Sequence, residues 1–327
     1  MTDPMAATAQ ADIASAFCDL IERLSTEVVG QSEVIRGLVL ALLCDGHVLV
    51  EGPPGTGKTR AVKTMARHLA AGFGRIQFTP DLLPADLTGS DVYTANRELV
   101  FQQGPLFNHL ILADEINRAP ARVQSALLEA MEEKQVTVGT HTYALPQPFL
   151  VMATQNSLDQ EGTYPLPEAQ LDRFLMKLTV DYPSREADLS ILKLQQAEEQ
   201  RGLSREALVD LDQVTKAREQ ISQVRVSDAI EQYIVDVVQA TRHPEQYSEQ
   251  LAAWLRHGVG ARAILSLHRV ARASAWLKGR DYVVPEDVKE YLAPCLSHRL
   301  SLSYEALANS VTTRDLIEAL SEHVVAR

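Results

Sequence analysis

The sequence predicts an α/β fold, a parallel sheet covered by helices, followed by an all-helical domain. Three observations predict it. Short apolar, β-branched runs at residues 47–50, 75–78, 109–113, 149–154 and 174–180 are each followed by a turn and a helix-like segment, the alternation expected of a parallel sheet. A glycine-rich turn, Gly52-Pro53-Pro54-Gly55-Thr56-Gly57-Lys58-Thr59, stands directly between the first of these runs and a helical pattern. From Tyr182-Pro183-Ser184 onward the periodicity is almost wholly helical.

Taken in order, residues 11–27 place Ile13, Phe17, Leu20, Ile21 and Leu24 at helical spacing. Val28-Val29-Gly30-Gln31 breaks that helix, and 33–44 begins another. The strand and helix segments of the sheet follow. Beyond Pro183, Ser184 is a candidate N-cap with Glu186 and Asp188 in the first turn. Further helices are predicted near 204–222, 227–242, 260–279, 285–299 and 312–325, with Pro285 placed as a first-turn proline. The expected domains are therefore 1–183, an α/β core, and 184–327, a helical domain. There are no internal repeats or low-complexity tracts.

Bulk composition narrows the class. A hydrophobic fraction of 46% and a charged fraction of 23% suit a soluble globular chain. A net charge of −12 argues against a protein whose main work is neutralising a phosphate backbone. The longest apolar run, 38–43, is far short of the roughly 20 residues that span a bilayer. The start Met1-Thr2-Asp3-Pro4-Met5 lacks a basic region followed by an apolar stretch. Cys18, Cys44 and Cys295 are widely spaced and have no metal-ligand pattern, so free thiols and a cytoplasmic location without membrane insertion are expected.

The turn at 52–59 fits Gly-x-x-x-x-Gly-Lys-Thr. Small residues let its backbone curl so that N–H groups face phosphates, and the next helix adds its positive end. Lys58 reaches the β and γ phosphates of ATP, and Thr59 offers a hydroxyl to magnesium. Gly52, Pro53, Pro54, Gly55, Thr56, Gly57 and the following Arg60 complete the expected nucleotide-binding set. The strand before Asp114-Glu115 brings two acids to its end: Asp114 suits the metal, and Glu115 suits a base toward the attacking water. Two such acids also suit a helix start. Asn156 could hold the attacking water or simply form a turn. Arg173 could serve a neighbouring subunit's nucleotide or pair with Asp172 or Glu168.

Together with the turn at 52–59, the segments Asp114-Glu115-Ile116-Asn117-Arg118-Ala119, Ala153-Thr154-Gln155-Asn156, Gln160-Glu161-Gly162-Thr163-Tyr164-Pro165 and 166–174 resemble the MoxR family of AAA+ ATPases. The resemblance runs from Val28 to about Ala326. It implies an AAA+ core with a helical lid, and it casts Asn156 as sensor 1 and Arg173, in Asp172-Arg173-Phe174, as an arginine finger. Arg262 takes the sensor-2 position, although Gly260-Ala261 stands where the family usually has Ser-Pro. Val28, Val29, Gly30 and Gln31 match the segment that contacts adenine. Two hairpin insertions are implied, about 81–103 and 135–148, directed to a ring pore or a partner.

The resemblance further implies a hexameric ring that uses Mg and ATP to remodel a separate protein bearing a von Willebrand factor A domain. Two alternatives share the motifs: the ATPase subunit of a magnesium-chelatase-like complex, and a nucleic-acid motor. For the second, the hairpins offer Arg97, Lys134 and His141 against Asp91, Glu98, Glu132 and Glu133, a poor balance for DNA.

Overall fold

The five apolar runs form one sheet in the computed structural model, which describes residues 4–93, 96–155, 164–201 and 207–326. In chain order come helices α1 (Pro4–Glu27) and α2 (Ser32–Leu43), strand β1 (Val48–Glu51), helix α3 (Lys58–His68), strand β2 (Phe73–Gln77) and helix α4 (Pro84–Thr88). A hairpin of β3 (Gly89–Tyr93) and β4 (Leu99–Gln103) precedes β5 (Leu110–Asp114) and α5 (Ala121–Glu133). A second hairpin pairs β6 (Gln135–Val138) with β7 (His141–Ala144). Then follow β8 (Leu150–Gln155), α6 (Glu168–Leu171), β9 (Met176–Thr179) and α7 (Arg185–Arg201).

The sheet order is β2-β5-β8-β1-β9, with β2–β5, β5–β8 and β8–β1 paired in parallel. Its central strands are continuous apolar runs because both faces are covered. Val48 to Val50, Leu110 to Ala113 and Leu150 to Thr154 are all buried. Helix α2 is apolar almost all round, and nine of its residues, from Val34 to Leu43, are buried. That is the composition of a helix inside a core.

Two compact units divide the chain. One comprises Ser15–Arg173 with Leu178–Thr215, and the other Met1–Ala14, Phe174–Lys177 and Lys216–Arg327. The division therefore does not fall at Pro183. Helix α7 stays with the sheet unit: Arg60 on α3 pairs with Glu198, and Gly30 lies against Pro183 and Ala187. Ser184 caps α7 as expected, its Oγ accepting from the Ala187 N–H at 3.3 Å.

The rest of the chain is helical: α8 (Leu211–Ser222), α9 (Asp228–Arg242), α10 (Glu249–Trp254), α11 (Ala261–Leu277), α12 (Pro285–Lys289), α13 (Leu292–Leu296), α14 (Tyr304–Ala308) and α15 (Thr313–His323). Within this unit α11 buries Ala263, Leu267, Val270, Ala271 and Ser274 at helical spacing. A short antiparallel ladder, Leu255–His257 with Ser301–Leu302, interrupts the helices. The single helix expected over 285–299 is two. Pro294 has no N–H to donate and its ring would clash with the Glu290 carbonyl, so a continuous helix cannot pass.

Both expected hairpins are present. Phe101 of the first stacks on Tyr143 of the second at 4.1 Å between ring centroids, with Phe107 edge-on to both. The two insertions are thus joined by an aromatic contact and do not stand apart.

Candidate nucleotide site

Strand register assembles the site. Val50 lies opposite Thr154 and Ala113 opposite Ala153, so β1, β8 and β5 end side by side. Ligands of open parallel sheets bind at these carboxyl ends. The turn from β1 into α3, the acids ending β5 and the segment leaving β8 all start from this row.

Within the turn the glycines do different work. A Cβ on Gly52 would lie 2.3 Å from the Val180 carbonyl oxygen, so close packing excludes any side chain there. Gly57, the residue before α3, has φ +83° and nothing within 4 Å of where a Cβ would point, and Gly55 is alike at +81°. These two supply left-handed backbone beside open space, a cradle of the kind that receives phosphate oxygens. The Thr56 hydroxyl donates to the Pro53 carbonyl at 3.1 Å and fixes the curl.

Lys58 Nζ donates to the carbonyls of Gly52 at 2.7 Å and Pro53 at 3.2 Å. Burial pushes this amine below its ordinary pKa, while Asp114, Glu115 and Glu51 pull it back. The balance places a cation and three carboxylates in one electrostatic neighbourhood, the arrangement of a phosphate and metal site.

Asp114 and Glu115 are bridged by Thr154. Its hydroxyl donates to Asp114 Oδ1 at 2.7 Å and accepts from the Glu115 N–H at 2.9 Å. Arg75 donates to Asp114 Oδ2 at 2.8 Å. The Glu115 carboxylate accepts from Gln77 Nε2 at 3.1 Å and Arg118 Nη1 at 3.0 Å. Glu115 itself has φ 59° and ψ 50°, a left-handed backbone that a non-glycine residue adopts at a cost of about 1–3 kcal/mol. The helix-start alternative for the pair gains nothing here, since neither side chain caps the short 3-10 turn that follows.

The remaining expected residues fall as follows. Val28 is buried and Gln31 is 4% exposed, with Gly30 in the left-handed turn between α1 and α2. Arg60 Nε donates to the Glu27 carbonyl at 2.8 Å and its guanidinium pairs with Glu198, so it braces α1 and α7. Arg173 donates to the Leu128 carbonyl at 2.9 Å and pairs with Glu132, both on α5. Arg262 is exposed in the first turn of α11, which Gly260 precedes in extended backbone. Asn156 lies outside the described residues, as do Gln160 to Thr163 of the same stretch.

Sequence reasoning gave no role to Thr154, Arg75 or Gln77. Thr154 carried a signal: it is a lone hydroxyl at the last buried position of a strand that is apolar up to it. Arg75 and Gln77 alternate on β2 beside β5, and only the sheet order reveals that they face the two acids.

This fold and turn define the AAA class of P-loop ATPases. The family model described as "ATPase family associated with various cellular activities (AAA)" matches residues 47–176, and the model of the AAA lid domain matches residues 252–320. Chaperone MoxR1 of Mycobacterium tuberculosis is 44% identical over 299 residues, covering 91% of this chain and 78% of that protein. Protein MoxR of Paracoccus denitrificans is 35% identical, covering 88% and 89% of the two chains. A crystal structure of a Cytophaga hutchinsonii protein superimposes with TM-score 0.92 at 42% identity, over 99% of this chain and 98% of that one. The chain belongs to the MoxR family of AAA+ ATPases. Nucleotide binding and ATP hydrolysis are the general activities of that class. No helix among the described residues is long and apolar enough to cross a membrane.

Proposed function

We propose that this chain is a magnesium-dependent ATPase that works in a ring, and that it remodels or activates a separate partner protein bearing a von Willebrand factor A domain. The observation that carries the chemical part is the pairing of the open Gly55–Gly57 cradle with Lys58 and the Thr154-bridged acids. The chaperone-like action on a partner is supported by kinship with Chaperone MoxR1, and the von Willebrand factor A domain of that partner is what the family resemblance implies.

In this reading the N–H groups of the turn and the ammonium of Lys58 hold the β and γ phosphates. Thr59 and Asp114 offer the hydroxyl and carboxylate oxygens that a hard divalent cation prefers. No cluster of three or more His, Cys, Asp or Glu side chains suited to a metal occurs among the described residues. A hydroxyl and one carboxylate completed by phosphate oxygens is the usual environment for magnesium. When bound, magnesium would neutralise charge developing on the phosphates. Glu115, whose carboxylate Gln77 and Arg118 hold by hydrogen bonds, takes the proton of the attacking water. Asn156 orients that water, Arg173 reaches the nucleotide of the next subunit, and Arg262 links the lid to the phosphates. Val28 to Gln31 receive the adenine, with Gly30 allowing close backbone approach. The assignment to the cytoplasm belongs to the same proposal.

The test is ATP turnover by the purified chain with magnesium or with a chelator, across a dilution series. Turnover should require magnesium, and activity per subunit should fall as the ring dissociates. Equal turnover in chelator removes the metal assignment, and turnover independent of concentration, down to confirmed monomer, removes the ring.

A further inference from the structure

The chain passes between the two compact units at four peptide bonds, one of them between Arg173 and Phe174. On one side, Arg173 is tied within the sheet unit to the Leu128 carbonyl and to Glu132. On the other, Phe174 to Lys177 belong to the helical unit, which grips them by the main chain. Arg299 Nη2 donates to the Phe174 carbonyl at 2.7 Å and to Ser266 Oγ at 3.2 Å. Its Nη1 donates to the Leu175 carbonyl at 3.4 Å and to the Cys295 carbonyl. His298 Nε2 donates to the same Phe174 carbonyl at 3.1 Å.

Two donors thus fill both lone pairs of one carbonyl, and one of them is a guanidinium, which makes the stronger kind of bond. Phe174 is fully buried beside them. Burial, with Arg299 nearby, holds His298 well below its ordinary pKa, so its ring is neutral and Nε2 carries the proton. A buried carbonyl needs one hydrogen-bond partner in any case, and this one has two. What distinguishes this carbonyl is that it lies one residue beyond Arg173.

We infer that Arg299, supported by His298, is a positioning residue for Arg173: the helical unit, by holding the Phe174 carbonyl, sets the backbone from which Arg173 reaches a neighbouring subunit's nucleotide. The inference rests on the shared-site reading proposed above. A misplacement of about 1 Å at a catalytic group costs on the order of a hundredfold in rate, so a slackened anchor is enough to matter.

The test is subunit mixing with the full-length chain. Arg299→Gln should bind ATP as the wild type does and turn over roughly ten- to a hundredfold more slowly. Its own Glu115 is intact, but the arginine it offers its neighbour is misplaced. Mixed with Glu115→Gln subunits, which offer a well-placed arginine, it should recover activity. Mixed with Arg173→Ala subunits it should stay slow, because both partners lack a working arginine. A lid defect confined to its own site gives the reverse: no recovery with Glu115→Gln and recovery with Arg173→Ala. That reversed pattern overturns the inference. The control is Arg173→Ala mixed with Glu115→Gln, with subunit exchange confirmed. No recovery there sinks the shared-site reading and this inference with it, whereas recovery there with the reversed Arg299 pattern sinks the inference alone. Arg299→Lys, which keeps a donor, should regain part of the rate, and it carries the same mixing test if melting curves show Arg299→Gln to be unfolded.

Discussion

Asp114 and Glu115 stand next to each other in the chain, yet they are assigned different tasks, and a single hydroxyl separates them. Thr154 donates to one carboxylate and accepts from the backbone of the other residue. Thr154→Val keeps the volume and removes both bonds. It leaves the Glu115 N–H without its partner, a cost of about 1–3 kcal/mol, and frees a backbone that is already left-handed. Turnover should fall roughly ten- to a hundredfold with ATP affinity nearly unchanged, as measured by steady-state kinetics beside equilibrium binding of a fluorescent nucleotide. Equal loss of affinity and rate would mean that Thr154 supports the binding pocket as a whole. The placement of Lys58, Asp114 and Glu115 at or just beyond strand ends was legible in the sequence because apolar runs mark the strands that lead to them. The backbone of Glu115 was not, since no local residue pattern demands φ above zero there. Nor was the pairing of Arg173 with Glu132, which lie 41 positions apart and meet only when α5 packs near the end of α6.

At the scale of elements, the helical unit carries its own buried ion cluster. Asp287, in the first turn of α12, is 0% exposed. It accepts from Arg280 at 2.6 and 2.7 Å, from Lys278 at 3.0 Å and from the Val284 N–H at 3.0 Å. Burial alone would raise its pKa, but the bonds from Arg280, Val284 and Lys278 outweigh it and hold the carboxyl below its ordinary value. A carboxyl depressed in the folded state adds stability above its unfolded pKa, near 4, and loses it as pH falls through the folded value. The lid should therefore loosen under acid, and Asp287→Asn should flatten that part of the pH dependence in thermal melts. Arg280→Ala, which leaves the acid buried beside fewer donors, should destabilise by about 3–5 kcal/mol. A loss under 1 kcal/mol would show that Lys278 suffices alone. The elements themselves were legible where periodicity was strong. All five strands of the sheet were placed to within two residues at their ends, and α2, α9 and α11 likewise. The break between α12 and α13, which Pro294 in the first turn of α13 imposes, was written in the sequence but lost under a helical pattern on either side. The ladder of Leu255–His257 with Ser301–Leu302 was not legible, because so short a strand makes sense only with its distant partner.

For the whole molecule, charge sets what it can hold. A net charge of −12, and a first hairpin that sets Asp91 and Glu98 against Arg97 while Glu132 and Glu133 lie on α5 and the second hairpin holds no lysine or arginine, leave little for a phosphate backbone to bind. DNA affinity should be weak at low salt and lost by physiological salt. Filter binding across a salt series checks this, and tight, salt-resistant binding that raises turnover would favour a nucleic-acid motor. The central claim is that one subunit separates holding ATP from cleaving it, with Lys58 serving the first and Glu115 the second. The most direct measurement is ATP binding and turnover of Lys58→Ala and Glu115→Gln side by side. Lys58→Ala should lose binding, and its turnover should vanish for that reason. Glu115→Gln should bind ATP as the wild type does and hydrolyse it at least about a hundredfold more slowly. Wild-type turnover in Glu115→Gln, or undiminished binding in Lys58→Ala, would contradict the account.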